Sequence, residues 1–290
     1  MVRGVRVSLC VWLVPPESIS QSKGFNDLPM RMSKWSLCCL AVLAISNGPL
    51  QGGHGQSSPL KQALISQTGP TVHLSANAPR PLQQALDALQ QRYGWQVDYE
   101  DPQYISEVDV VEVPDPSHPE GRTRVPSGGA FNVDFVIGPS ALPEEEKALS
   151  VIIDSYNRSK NPGQFELRKI AEQNFDVVGI SAHDRQGRLS RQEVLLDLPI
   201  TVPILQRSAS DTIALICEKI AERSHISVNL GIYPRRLLDF PKVTAGGTAS
   251  PARTLLTSAL ASTGRKLYWR LLFDPDSKTY FLNLHSVRNP

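Results

Sequence analysis

The sequence has 290 residues, of which 41% are hydrophobic and 20% are charged. This length fits one large domain or two small ones, and the apolar share excludes wholesale disorder. The 30 basic and 28 acidic side chains leave a formal net charge of +2, which excludes nucleic-acid binding driven by charge alone. Residues 1–46 contain five of the basic and two of the acidic residues, so the remainder of the chain is nearly neutral.

A basic start followed by a short apolar run predicts an export signal near the N-terminus. Arg31 and Lys34 precede the apolar residues 37–45, and small residues at Ala44 and Ser46 predict cleavage after Ser46. A helix of this length spans about 14 Å, which is too short for a hydrocarbon core of about 30 Å. We therefore predict a periplasmic or secreted protein without a stable membrane span after cleavage.

The sequence before this signal fits it badly, so we predict that translation begins at Met30 or Met32 and that residues 1–46 are an N-terminal extension plus a signal peptide. Residues 47–70 are rich in Gly, Ser, Gln and Pro and read as a linker. Cleavage would remove three of the four cysteines and leave Cys217, which excludes an intramolecular disulfide. Cys217 lies on the apolar face of a predicted helix, which is typical of a small hydrophobic residue rather than a nucleophile.

Two predicted helices with the same apolar spacing lie 131 residues apart. Their apolar residues recur at i, i+3, i+4 and i+7, as on one stripe of a helix. The matching sets are Leu82, Ala85, Leu86 and Leu89 in the first helix and Ile213, Ile216, Cys217 and Ile220 in the second. Pro81 and Gly94 bound the first helix, and Ser210 or Asp211 offers the N-cap oxygen of the second. Residues 95–99 and 226–230 follow as strands.

A second pair of helices, 143–158 and 251–263, completes an internal repeat. The apolar face of helix 143–158 is predicted to carry Ala148, Val151, Ile152 and Ser155. Each of these helices precedes a predicted β-hairpin, 165–180 in the first half and 266–287 in the second. The offset falls to 102 residues here, so the first half contains an insertion, which we place at residues 101–129.

Each half reads as strand, helix, strand, strand, helix, strand, strand. This order predicts an α+β protein of two tandem small domains, each a β-sheet with two helices packed on one face. The first domain covers residues 71–190 with the insertion 101–129, and the second covers residues 191–290.

The second half resembles the secretin and TonB short N-terminal domain. The resemblance rests on a strand at 200–205, helix 211–223, strand 227–230, the segment 243–248, helix 251–263 and Leu267-Tyr268-Trp269-Arg270. The first half resembles a more divergent copy. The resemblance implies a periplasmic module that docks other envelope proteins, with no chemistry and no cofactor. Family members usually carry this module ahead of a much larger pore domain, whereas the present chain stops at Pro290, which favours a free-standing adaptor.

Acidic residues without any Lys or Arg among them crowd residues 95–115. They are Asp98, Glu100, Asp101, Glu107, Asp109, Glu112 and Asp115. Valines interleave with the acids as in a strand with one wet face, which predicts a solvated acidic edge. The alternatives are a partner-docking patch, formed by the first six acids with Trp269, and a calcium site, although the Asp-x-Asp-x-Asp-Gly loop is missing.

No other motif indicates chemistry. The six histidines lack metal-ligand spacing, the chain has no Gly-x-Ser-x-Gly elbow, and Gly246-Gly247 is interpreted as a turn or bulge. The basic pairs at 235–236 and 265–266 are too small for a nucleic-acid footprint. We therefore predict no catalytic, cofactor-binding or metal-binding residues.

The sequence thus predicts an exported, non-enzymatic interaction or adaptor module whose partners are envelope proteins. Sheet edges and the insertion are the predicted contact sites, because an open strand edge can pair with a partner strand. The main alternative is a cell-envelope hydrolase that uses the acidic insertion. Self-association into a structural subunit is the third hypothesis.

Overall fold

The computed structural model describes residues 63–115, 118, 120–138 and 145–287. The predicted extension, the signal peptide, most of the predicted linker and the start of helix 143–158 lie outside these residues. All described residues belong to one compact unit. None of the helices in this part of the chain is long and apolar enough to cross a membrane.

The first half of the described chain contains nine strands and two helices. The strands are β1 (Leu64–Thr68), β2 (Thr71–Ala76), β3 (Gln96–Glu100), β4 (Val110–Pro114), β5 (Arg122–Pro126), β6 (Phe131–Val136), β7 (Gln164–Ala171), β8 (Asn174–His183) and β9 (Leu189–Arg191). The helices are α1 (Pro81–Tyr93) and α2 (Glu145–Asn157).

The second half opens with a 3-10 turn and contains five strands and three helices. The 3-10 turn is Leu195–Asp197, and the strands are β10 (Pro199–Ser208), β11 (Val228–Leu230), β12 (Lys242–Pro251), β13 (Leu267–Asp274) and β14 (Thr279–Ser286). The helices are α3 (Ala209–Ser224), α4 (Arg235–Leu238) and α5 (Ala252–Ala261).

The predicted helices are present, with two local corrections. The N-cap of α3 is Ser208, whose Oγ accepts a hydrogen bond from the Asp211 amide at 3.0 Å, because β10 runs directly into the helix. Neither Ser210 nor Asp211 is the cap. The buried face of α2 is also rotated from the prediction, since Val151 is 42% exposed while the neighbouring Leu149 is buried.

The two halves pair their strands in the same way. The strands that precede the helices are antiparallel to each other, β2 with β6 and β10 with β12. Each half contains a hairpin after its second helix of the repeat, β7–β8 after α2 and β13–β14 after α5. The strand after the first helix runs parallel to the second strand of that hairpin, β3 with β8 and β11 with β14. Both halves therefore share this strand pairing, but β1, β4, β5 and β9 in the first half and α4 in the second are additional to the predicted element order.

The mixed α+β class is confirmed, but the expectation of one sheet in each half is wrong. The largest sheet combines both halves in the order β11-β14-β13-β3-β8-β7, with β9 paired to the end of β8. The strands that precede the helices pair with each other and form separate small sheets, β1-β2-β6 and β10-β12. Each pair of helices therefore shares its apolar core with a small sheet as well as with the large one.

The insertion 101–129 contains the hairpin β4–β5, which reaches the second half of the chain. Asp276, in the turn between β13 and β14, accepts hydrogen bonds from Thr123 Oγ1 at 2.8 Å and from the Arg124 amide at 2.9 Å. The insertion therefore contacts both halves rather than projecting from the first alone.

Candidate functional site

Three of the predicted docking residues lie inside the protein, where the two halves meet. Asp98, Glu100 and Asp101 are each at most 5% exposed. The interpretation of these residues as a solvated edge is wrong, because β3 is an interior strand with neighbours on both sides and covered faces. Trp269 is 1% exposed and lies on β13, the strand that pairs with β3.

The pairing between β3 and β13 is a short parallel ladder that side chains extend. Only Tyr99 and Glu100 of β3 stand in register with β13. At one end of the ladder, Asp98 Oδ1 accepts the Trp269 amide hydrogen at 2.7 Å. At the other end, Asp101 Oδ2 accepts the Phe273 amide hydrogen at 3.0 Å. The two carboxylates thus accept hydrogen bonds from buried amides of β13, which in a longer ladder would have donated to carbonyl groups of β3.

Arg253, the second residue of α5, joins acidic residues from different parts of the chain. Its Nη2 lies 2.5 Å from Glu100 Oε2, its Nη1 lies 2.5 Å from Asp176 Oδ2, and its Nε lies 3.0 Å from Asp197 Oδ1. Its guanidinium also lies over the Trp269 ring, 5.4 Å from the centroid. A helix of the second half is therefore held against two strands of the first.

Arg270 of β13 makes a second contact with the first half. Its Nη1 donates to the Val97 carbonyl at 2.5 Å, and its Nη2 lies 2.8 Å from Asp87 Oδ1 of α1. The guanidinium carbon lies 4.6 Å from the centroid of the Tyr268 ring. We refer to these convergent side chains as the charged junction: Asp98, Glu100, Asp101, Asp176, Arg253 and Arg270.

Arg80, which lies just before α1 in the first half, holds the side chain of Asp101 in place. Its Nε lies 2.7 Å from Asp101 Oδ2, and its guanidinium also donates to the Phe273 carbonyl. The Tyr99 hydroxyl donates to the other oxygen of Asp101 at 2.7 Å. Asp101 therefore accepts hydrogen bonds from both halves, and its carboxylate is fully engaged.

The pKa values in the charged junction shift because its groups are buried. Burial raises the pKa of Asp98 well above its ordinary value, and the nearby charge of Asp176, directly across from it on β8, raises it further. Burial also raises the pKa of Glu100 and of Asp176, although the charge of Arg253 opposes both shifts. Burial lowers the pKa of Arg253, but the three carboxylates around it outweigh this effect and raise its pKa.

The remaining predicted docking residues belong to the insertion and lie apart from the charged junction. Asp109 is also buried, against the expected solvated edge, because it accepts hydrogen bonds from the amide of His183 at 2.8 Å and binds its Nδ1 at 2.7 Å. Glu107 is exposed and lies 2.5 Å from Arg124 of β5. Glu112 is exposed on β4. Of the six acids, Glu107 and Glu112 therefore remain available at the surface.

The basic partners of the charged junction and Asp176 were not among the predicted site residues. A signal for Arg253 exists in the sequence, since its spacing places it on one helical stripe with Leu256 and Leu260. A cation in phase with an apolar stripe indicates a buried carboxylate partner. Arg270 and Asp176 carry a weaker signal, because each interrupts an otherwise apolar strand.

The chemistry of the charged junction is that of a structural connection. Its carboxylates already accept hydrogen bonds from arginines and backbone amides. Within the described ranges, no three His, Cys, Asp or Glu side chains are grouped to hold a metal ion. Cys217 is buried in the second core, and burial raises the pKa of its thiol to about 12, which keeps it protonated and unreactive at neutral pH.

No family model matches the sequence, and neither a curated protein nor a solved structure matches it.

Proposed function

We propose that the chain is an exported, non-enzymatic adaptor of the cell envelope. In this proposal it consists of two copies of a unit like the secretin and TonB short N-terminal domain. The export signal predicted from the sequence and the repeated strand pairing support it. The charged junction makes the two copies one continuous sheet, so that a partner bound by one copy is coupled mechanically to the other.

The observation that carries the proposal is a difference between the two small sheets. In the first half, β1 pairs with β2 on the edge that faces away from β6. In the second half, no described strand occupies the equivalent edge of β10. Two large apolar side chains on β10, Ile204 and Leu205, are 67% and 60% exposed. An antiparallel strand of a partner protein would take the place on β10 that β1 has on β2.

The sequence of β10 limits where such a strand can pair. Pro199 and Pro203 lack the N–H group that a ladder requires, which protects the first part of the edge. Residues 204–208 contain no proline and include both exposed apolar side chains. We therefore place the docking edge at residues 204–208.

Site-specific photo-cross-linking tests this proposal in the cells that export the protein. A photo-reactive amino acid at Ile204 is expected to form an adduct with an envelope protein, whereas the same amino acid at Val151 is expected to form none. Val151 is a matched control because it is 42% exposed but lies on helix α2, which offers no strand edge. Leu205→Lys should reduce the adduct about tenfold or more, since burying one Leu side chain is worth roughly 1.5–3 kcal/mol.

An adduct between two copies of the chain would favour the self-association hypothesis instead. Equal adducts at both positions, or none at Ile204, would contradict the docking edge. The hydrolase hypothesis has less support, because two acids of the insertion, Asp101 and Asp109, are buried and already accept hydrogen bonds.

A further inference from the structure

The segment 231–242, which we call the basic loop, carries two unusually exposed apolar side chains. Ile232 and Phe240 are each 76% exposed, more than any other large hydrophobic residue that the structure describes. The backbone of Ile232 is fixed on both sides, since its amide donates to Asn283 Oδ1 and its carbonyl accepts the Leu284 amide hydrogen, each at 2.8 Å. Its side chain is therefore held toward solvent.

The two ends of the basic loop lie beside the same cleft. Tyr233 and Asp239 both line it, and Ile232 and Phe240 are their immediate neighbours in the chain. The short helix α4 lies between the two ends and is anchored by Leu238, which is fully buried in the second core. The exposure of the apolar side chains thus belongs to an ordered loop.

The basic loop is also positively charged. It contains three basic residues, Arg235, Arg236 and Lys242, and one acidic residue, Asp239. The three basic side chains are exposed and form no ion pair within the described part of the chain. Asp239 and the nearby Asp211 line a cleft of about 350 Å³ beside the loop, together with Tyr233 and Lys242. Arg235 and Arg236 lie outside that cleft lining.

We propose that the basic loop binds the surface of an anionic phospholipid bilayer. Ile232 and Phe240 enter the interface between headgroups and acyl chains, while Arg235 and Arg236 contact the phosphate groups. Two side chains that protrude singly suit a fluid surface, whereas a folded partner is expected at a larger contiguous apolar patch. This inference goes beyond the proposed adaptor role and uses a surface separate from the docking edge of β10.

Co-sedimentation of the full chain with vesicles tests the proposal. Binding is expected to vesicles that contain phosphatidylglycerol and to be much weaker to vesicles of phosphatidylcholine alone. The double variant Arg235→Glu/Arg236→Glu should bind phosphatidylglycerol vesicles at least about 25-fold more weakly, since each basic side chain near such a surface contributes about fivefold to the affinity. Ile232→Ser/Phe240→Ser should weaken binding to a similar degree.

A matched control is Leu189→Ser/Arg191→Glu, which changes an exposed apolar and an exposed basic residue on β9 and should leave binding unchanged. As a local measurement, Phe240→Trp should add fluorescence that brominated lipids quench. Equal binding by the loop variants and the unchanged chain would overturn the proposal, because the leader or another surface would then hold the vesicles. Loop-dependent binding to polyglutamate without binding to vesicles would also overturn it and would indicate an acidic protein partner.

Discussion

At the scale of single residues, Arg253 decides whether the buried acids of the charged junction are stabilising or harmful. Removing carboxylates from water is unfavourable unless a partner offsets the loss. Arg253 lies within 3.0 Å of three carboxylates, and two of these, on Glu100 and Asp176, are almost fully buried. A single guanidinium thus neutralises charges from two strands of the first half. Removing it should therefore cost more folding stability than removing one partner of an ordinary surface ion pair.

Arg253→Met should lower the free energy of unfolding by about 3–5 kcal/mol at pH 7, the usual effect of leaving buried charges unpaired. Methionine retains much of the apolar stem, so the loss reports on charge. Urea denaturation followed by circular dichroism measures it. The control Arg265→Met, at an exposed position after α5, should change the free energy by less than about 0.5 kcal/mol. Comparable losses in both variants would contradict the assigned role.

The pH dependence of this variant distinguishes lost charge pairing from lost packing. Burial raises the pKa of Glu100 and Asp176 in the folded protein, so the folded state binds protons more tightly than the unfolded chain, and their contribution weakens as pH rises. Without Arg253 these pKa values should rise further. The deficit of Arg253→Met should therefore shrink as pH falls from 7 toward about 5, whereas a pure packing defect would stay constant.

At the scale of elements, β10 and β12 approach so closely that one position requires glycine. A Cβ atom added at Gly246 would lie 2.6 Å from the Val202 carbonyl oxygen and 2.8 Å from that of Pro203. The pairing of the two strands shifts register here, between Val202 and Leu205, so this bulge has its extra residue on β10, opposite Gly246. The bulge lies beside the docking edge and sets the direction of residues 204–208.

Gly246→Ala should therefore destabilise the protein by about 1–3 kcal/mol, because backbone atoms must move to admit the methyl group. Gly247→Ala is the matched control. Its Cβ would meet the Ser250 hydroxyl at 2.7 Å, a side chain that can rotate, although Leu255 is also close at 3.2 Å. Thermal unfolding of the two variants compares their stability. An equal or larger loss of stability in Gly247→Ala would refute the close approach of β10 and β12 as the cause of the loss in Gly246→Ala.

The elements that the sequence predicts well are those specified by local spacing. The apolar stripe from Leu82 to Leu89 and its counterpart from Ile213 to Ile220 both form buried helix faces, because the period of a helix is a local property. The position of β3 beside β13 is not local. It depends on which distant strand pairs with β3. The alternation of polar and apolar residues does not specify that partner, and the prediction from it that Asp98 and Glu100 face solvent is wrong. The adjoining halves instead cover both faces of β3.

At the scale of the whole molecule, the shared sheet predicts that both halves unfold together. Buried Trp95 lies in the first core and buried Trp269 in the second, so each can report on its own half once Trp12 and Trp35 are replaced by Phe. In each of the two chains that retain only one of these tryptophans, its fluorescence and the far-UV circular dichroism of the whole protein should give the same denaturant midpoint, as a two-state transition requires.

Asp98→Ala/Asp101→Ala removes the carboxylates that accept the Trp269 and Phe273 amide hydrogens. This double change should separate the two midpoints, with a loss of roughly 1–3 kcal/mol for each unsatisfied amide. Asp134→Ala, at an exposed hydrogen bond between β6 and His73, should keep them coincident. If the two signals from one such chain gave different midpoints without the aspartate substitutions, the halves would unfold independently, and the proposed mechanical coupling between partners bound to the two copies would be lost.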